Sequence, residues 1–172
     1  ELFGKATLGI REDDVCFSAA KLFFAYGLGN AMTFPLSVGA TVVLMPRWDR
    51  DYAGSLISRY RVTHWTNIPT MVIDLLGSPN FDKFNLKSLV HIGGGGAAMP
   101  QAVAQRLLDL YGLSYAEGYG LTETAAPSHN NPPDNPKQQC LGIPFISVDA
   151  RIVDPETLEE VPAGQSGEIV MH

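Results

Sequence analysis

Short β-branched runs alternate with amphipathic stretches through most of this chain, and that alternation narrows the available folds more than any other feature. Apolar residues from Ala19 to Val38 keep a helical period, Gly39 stops the helix, and Thr41-Val42-Val43-Leu44-Met45 follows as a buried strand. Asp49 caps a second amphipathic stretch reaching Tyr60, Val62 to Thr66 reads as a strand, and Pro69 to Leu76 as a helix opened by proline. Leu86 to Ile92 is a further strand, Pro100 to Tyr111 a helix, and Leu113 to Ala116 another strand. Strands joined by helices of about 10 to 12 residues require right-handed crossovers and a parallel sheet covered by helices on both faces. The expectation is an α/β fold whose ligands collect at the strand C-termini.

After Thr124 the texture changes. Asn130-Asn131-Pro132-Pro133-Asp134-Asn135-Pro136 is too proline-dense for regular structure and reads as a loop. Val148 to Val153 and Gly167 to Met171 then read as strands, with a turn at Asp154-Pro155-Glu156. This divides the chain into an α/β part over residues 1–140 and the beginning of an antiparallel, β-rich subdomain over 141–172. Of the 172 residues, 45% are apolar and 17% charged, enough to bury a core. The formal charge of -6, without a Lys or Arg cluster, argues against a nucleic-acid partner. The longest apolar stretch, Leu22 to Val43, is interrupted by Asn30, Thr33, Pro35, Ser37 and Gly39, so no transmembrane segment is expected. Cys16 and Cys140 have no metal or CxxC spacing, and no signal peptide is evident, which suits reduced thiols and a cytoplasmic location. Glu1 opens without Met and Met171-His172 stops directly behind a strand, so an internal piece of a longer protein is expected.

Three segments carry residues fit for chemistry. In Glu117-Gly118-Tyr119-Gly120-Leu121-Thr122-Glu123, placed just after a strand, glycines allow close backbone approach to a flat ligand. Tyr119 offers a face for a base, Thr122 a hydroxyl for a phosphate oxygen and Glu123 a hard carboxylate for magnesium. The same residues also suit a glycine turn with Thr122 as a helix N-cap and Glu123 in the first turn. The run Gly93-Gly94-Gly95-Gly96-Ala97-Ala98-Met99-Pro100 joins a strand to a helix, and four glycines point to backbone lying against a ligand. Gly93, Gly95 and Ala98, with Glu117 after them, also mimic a dinucleotide fingerprint, so an NAD-dependent dehydrogenase is the competing enzyme class. The glycines precede Met99-Pro100 rather than entering the helix, which weighs against it. The aromatic cluster around Phe23, Phe24 and Tyr26 suits an apolar acyl wall or plain core. His64, His91, His129 and His172 show no metal spacing and read as structural or solvated.

In this order the segments resemble the adenylate-forming superfamily of acyl-CoA synthetases, luciferases and nonribosomal adenylation domains, over essentially the whole chain. Gly118 to Glu123 resembles the family's core signature, Gly94-Gly95-Gly96-Ala97 its adenine-side loop, and Gly164 to Val170 its later Gly-Glu strand motif. The resemblance implies ATP-dependent activation of a carboxylic acid through acyl-AMP to acyl-CoA, with ATP, Mg2+ and coenzyme A taking part. By matching position, Gly95, Gly96 and Ala97 would border the adenine, with Ala97 also near the acyl carbonyl. Glu117, Gly118, Tyr119 and Gly120 would frame the adenine and ribose side, Thr122 would hold the α-phosphate and Glu123 the magnesium. Phe24, Tyr26, Gly27 and Asn30 match the acyl-pocket helix.

Ser18 to Thr41 is similar to benzoate-CoA ligases, whereas Glu117 onward, including Gln138 to Pro144, is similar to medium- and long-chain fatty acid ligases. A fatty acid is the first expectation and an aryl acid the alternative; membrane contact would be peripheral, for a long-chain substrate. Many relatives carry a histidine where Phe24 stands, so that histidine's role does not transfer. No aspartate stands near Ala25, which disfavours an amino acid substrate. The family's phosphate loop with its lysine would precede Glu1, and its ribose-binding aspartate, hinge and catalytic lysine would follow His172. The piece alone is therefore expected to form no acyl-AMP. A non-catalytic nucleotide-binding module is the remaining alternative, and oligomeric state is not legible.

Overall fold

In the computed structural model, which describes residues 2–125, 127–132 and 135–172, the alternation becomes a seven-stranded sheet ordered β2-β1-β3-β4-β5-β6-β7. Its parallel part is β1 (Val15–Ser18), β2 (Thr41–Leu44), β3 (His64–Asn67), β4 (His91–Gly94) and β5 (Ala116–Gly120). Antiparallel β6 (Pro127–Asn130) and β7 (Ile143–Pro144) extend it beyond β5.

The helices are α1 (Ala25–Leu28), α2 (Phe34–Ser37), α3 (Arg50–Tyr60), α4 (Pro69–Leu76) and α5 (Gln101–Tyr111). The connection from β1 to β2 runs one way along the sheet and all later crossovers run the other. Right-handed crossovers therefore put α1 and α2 on one face and α3 to α5 on the opposite face. Strand alternation serves both sides. Phe17, Trp65 and Ile92 pack with Leu56, Ile57, Val72 and Leu75 in the main core, while Cys16 joins Ile10 and Ala40 in a smaller cluster with Phe34 against it. The Asp49 carboxylate accepts the Tyr52 N–H at 2.8 Å, capping α3 as its sequence position predicts.

Several boundaries differ from the sequence reading. The helix predicted over Ala19 to Val38 begins only at Ala25 and widens into a π-helical segment at Gly29–Thr33. Pro35 has no N–H for the preceding turn, and local widening of the helix is the usual accommodation. Leu86 to Val90 are not strand: Leu89 N–H closes a turn on the Leu86 carbonyl, and both leucines reach the core from it. The strand expected at Leu113 lies at Ala116–Gly120, so most of the Glu117–Glu123 motif is strand rather than a turn after one. Gly93 and Gly94 likewise lie inside β4. β1, β6 and β7 had no counterpart in the sequence reading. Of the proline-rich loop, Pro133 and Asp134 lie outside the described residues, as does Glu1, and Asn130 ends β6.

Beyond this, β8 (Ala150–Val153) and β9 (Glu168–Met171) form an antiparallel pair. Among the described residues no helix is long and apolar enough to cross a membrane.

Candidate functional site

β4 and β5 lie side by side, with Gly93 opposite Ala116 and Gly94 opposite Glu117. The glycine run and the Tyr-Gly-Leu-Thr segment therefore leave the sheet together. Between them and the α1–α2 layer is a cavity of about 250 Å³. Phe24, Tyr26, Asn30 and Phe34 wall it from the helical side, and Thr66, His91 and Gly93 to Gly96 from the sheet. Gly118 to Thr122 complete the rim.

Of the residues singled out from the sequence, Phe24, Tyr26, Asn30, Gly95, Gly96, Gly118, Tyr119, Gly120 and Thr122 meet here. Gly27, Ala97, Glu117 and Glu123 are not among the lining residues. Gly27 is buried against the Lys21 carbonyl, where a Cβ would come within 2.1 Å of the oxygen. Ala97 is exposed one residue beyond Gly96, whose φ of +83° turns the chain out of the sheet. Glu117 is 3% exposed, and its carboxylate accepts N–H groups from Gln139 at 2.7 Å and Met99 at 3.4 Å. That carboxylate ties two loops together and is not free for a ribose hydroxyl. Glu123 is exposed in the 3₁₀ turn Thr122–Thr124, without a hydrogen-bond or salt-bridge partner among the described residues. The capping bond of that turn comes from Thr124, whose Oγ1 accepts Leu121 N–H at 3.1 Å, and not from Thr122.

Tyr26 links the helical and sheet walls. Its hydroxyl donates to the Asn67 carbonyl at 2.5 Å, and Asn67 Oδ1 accepts the Tyr115 hydroxyl at 3.0 Å. Burial pushes the Tyr26 phenol well above its ordinary pKa, and the Gly95 N–H aimed at it offsets part of that rise. The phenol is neutral at any physiological pH. Cys16 is driven to about 12 by burial, with Asp14 adding to the effect, so its thiol is not a nucleophile here.

Sequence reasoning read His91 as structural or solvated and did not single out Thr66 or Ile68, yet all three line the cavity. The signal for His91 was its place two residues before Gly93, on the same face once the strand is drawn correctly. Burial, followed by the charge of His64, lowers its pKa from 6.5 to about 4. The unfolded chain takes up this proton near pH 6.5 and the folded chain only near 4, so protonation favours unfolding. Stability present above pH 6.5 should fall by about 3 kcal/mol between there and pH 4, at 1.36 kcal/mol per pH unit, and level off below. Urea midpoints across that window should decline less steeply in His91→Gln, and identical slopes would remove His91 as a cause.

The AMP-binding enzyme family matches residues 2–172. This chain belongs to that family. The AMP-binding relatives include a benzoate–CoA ligase of Thauera aromatica, 36% identical over 98% of this chain and 32% of its own length. A long-chain-fatty-acid–CoA ligase of Bacillus subtilis is 31% identical over 87% of this chain and 27% of its own. Among solved structures, an anthranilate CoA ligase in complex with anthranoyl-AMP superposes with a TM-score of 0.92 and 33% identity. That superposition covers 99% of this chain and 33% of that one. The chain thus spans about a third of the length of the AMP-binding relatives it matches.

Proposed function

We propose that the full-length protein carrying this chain activates a carboxylic acid in two steps. The carboxylate attacks the α-phosphate of ATP, giving acyl-AMP and pyrophosphate; the sulfur of coenzyme A then attacks the acyl carbonyl and AMP leaves. The observation that carries this is the single cavity shared by the glycine strand, the Tyr-Gly-Leu-Thr segment and the aromatic start of α1. On this reading Gly95, Gly96 and Ala97 border the adenine, and Glu117, through its backbone, joins Gly118, Tyr119 and Gly120 beside adenine and ribose. Thr122, whose hydroxyl has no partner among the described residues, takes an α-phosphate oxygen. Phe24, Tyr26 and Asn30 enclose the acyl group, with Gly27 behind them.

Glu123 suits Mg2+, because this ion keeps most of its waters and needs only one or two carboxylates beside the phosphates, and Glu123 is exposed and has no partner among the described residues. Bound there, magnesium would stabilise charge developing on the phosphate oxygens.

A compact aryl acid is favoured over a long acyl chain. On the helical side the cavity is walled by the rings of Phe24, Tyr26 and Phe34, flat faces suited to lie against an aromatic ring. An acid panel on the full-length protein, read as pyrophosphate release with and without coenzyme A, tests both parts. Benzoate should exceed octanoate by at least about 10-fold in kcat/KM, the scale set by fit in an apolar pocket. Equal rates would remove the aryl preference, and no acid-dependent pyrophosphate would remove the ligase reading.

A further inference from the structure

His64 and His91 occupy paired positions on β3 and β4, and their rings stack with centroids 5.5 Å apart. Their nitrogens have opposite surroundings. His64 is saturated: Nδ1 meets Thr63 Oγ1 at 3.1 Å and lies 3.5 Å from Asp14 Oδ1, while Nε2 lies 3.3 Å from the Leu8 carbonyl oxygen. Neither ring nitrogen of His91 has a hydrogen-bond partner among the described residues, and this ring lines the cavity. Its Nε2 lies over Gly93, 3.1 Å from the point a Cβ there would occupy. The absent side chain at 93 leaves the nitrogen open to the cavity.

Asn30 repeats the pattern on the helical wall. Its Nδ2 donates to the Tyr26 carbonyl at 2.9 Å, and its Oδ1 has no partner among the described residues. Both groups face the cavity, so a ligand that displaces water from it must supply hydrogen bonds to them or leave them unpaired at a cost.

We propose that His91 selects among aryl acids by hydrogen-bonding a hydroxyl or amino substituent on the ring, remote from the carboxylate. The inference rests on the acyl-cavity reading above and names the substrate class within it. A neutral imidazole presents one donor and one acceptor, so it serves a phenol or an aniline but not a methyl group. The strand supplies the spacing. From Gly93, under Nε2, to Gly95, which borders the adenylate on the reading above, is two residues, or about 7 Å. That is close to the reach of a benzoic acid from its carboxyl carbon across the ring to a para substituent.

The test compares 4-hydroxybenzoate with 4-methylbenzoate, which has nearly the same shape, as substrates of the full-length protein. The parent should favour the hydroxy acid by about 10- to 100-fold in kcat/KM, the usual discrimination when a buried polar group is left unpaired. His91→Leu should bring the ratio near one, and His91→Gln, which keeps a donor and an acceptor, should restore part of it. A parent ratio near one overturns the inference whether or not the variants fold, and so does a ratio that His91→Leu leaves unchanged. Turnover of benzoate with a flat ratio sinks this inference alone. No pyrophosphate release with these acids or with octanoate sinks the ligase reading as well.

Discussion

Gly94→Ala is expected to destabilise the protein by more than about 4 kcal/mol, at the upper end of what a single substitution does. A Cβ at position 94 would stand 1.8 Å from the Asn67 carbonyl oxygen and 2.8 Å from the Tyr115 hydroxyl. Asn67 is backbone of the neighbouring strand, in register with Gly94, so relief means parting β3 from β4. The same carbonyl receives the Tyr26 hydroxyl, so the disturbance also reaches the helical wall of the cavity. Gly112→Ala is the matched control. Gly112 has a φ of +68° at the end of α5 and nothing within 4 Å of its Cβ position, so it should cost only about 1 kcal/mol. Urea unfolding of both variants separates collision from conformation. A Gly94→Ala midpoint equal to that of Gly112→Ala would mean that the strands are not this close.

Glu123→Gln should slow acyl-AMP formation by the full-length protein by roughly 10²-fold, the scale seen when one charge-stabilising group is removed from a transition state. Its carboxylate has no partner in the fold among the described residues, so the thermal unfolding temperature should be unchanged within error. The amide keeps the shape and loses the charge that a hard cation needs. Acid-dependent pyrophosphate release should therefore need more Mg2+ in the variant. An unaltered rate at limiting Mg2+ would take Glu123 out of the proposed metal role.

The helices on the main-core face were legible because their ends carry local signals. Asp49 caps α3, Pro69 stands in the first turn of α4, and Pro100 immediately precedes α5. Strand limits were less so. Leu86 and Leu89 are apolar because a turn sends them into the core, which a hydrophobic run does not distinguish from a strand. β6 and β7 are set by their neighbours: Ser128, His129 and Asn130 have no strand-like pattern and extend because β5 offers an edge.

At the site, the residue types pointed to segments that the fold brings together: nine of the thirteen singled-out positions line one cavity, Phe24, Tyr26, Asn30, Gly95, Gly96, Gly118, Tyr119, Gly120 and Thr122. The reason for the glycines was read differently. They suggested a backbone lying against a ligand, whereas at Gly94 and Gly95 a side chain would first strike protein, the Asn67 and Gly118 carbonyls. His91 read as structural or solvated because its place in the cavity is relational: it depends on a partner histidine being satisfied while it is not, and sequence carries no record of that.

The glycine strand has a consequence for anyone wishing to redirect this scaffold to new acids. Three positions of the glycine run, Gly93, Gly94 and Gly95, admit almost no alphabet, since the Ala116, Asn67 and Gly118 carbonyls reject a Cβ there before any substrate arrives. A randomised library that includes them would spend most of its members on unfolded protein. Diversity concentrated at Phe24, Asn30 and His91, whose side chains face open volume, would keep the scaffold intact while reshaping what it accepts.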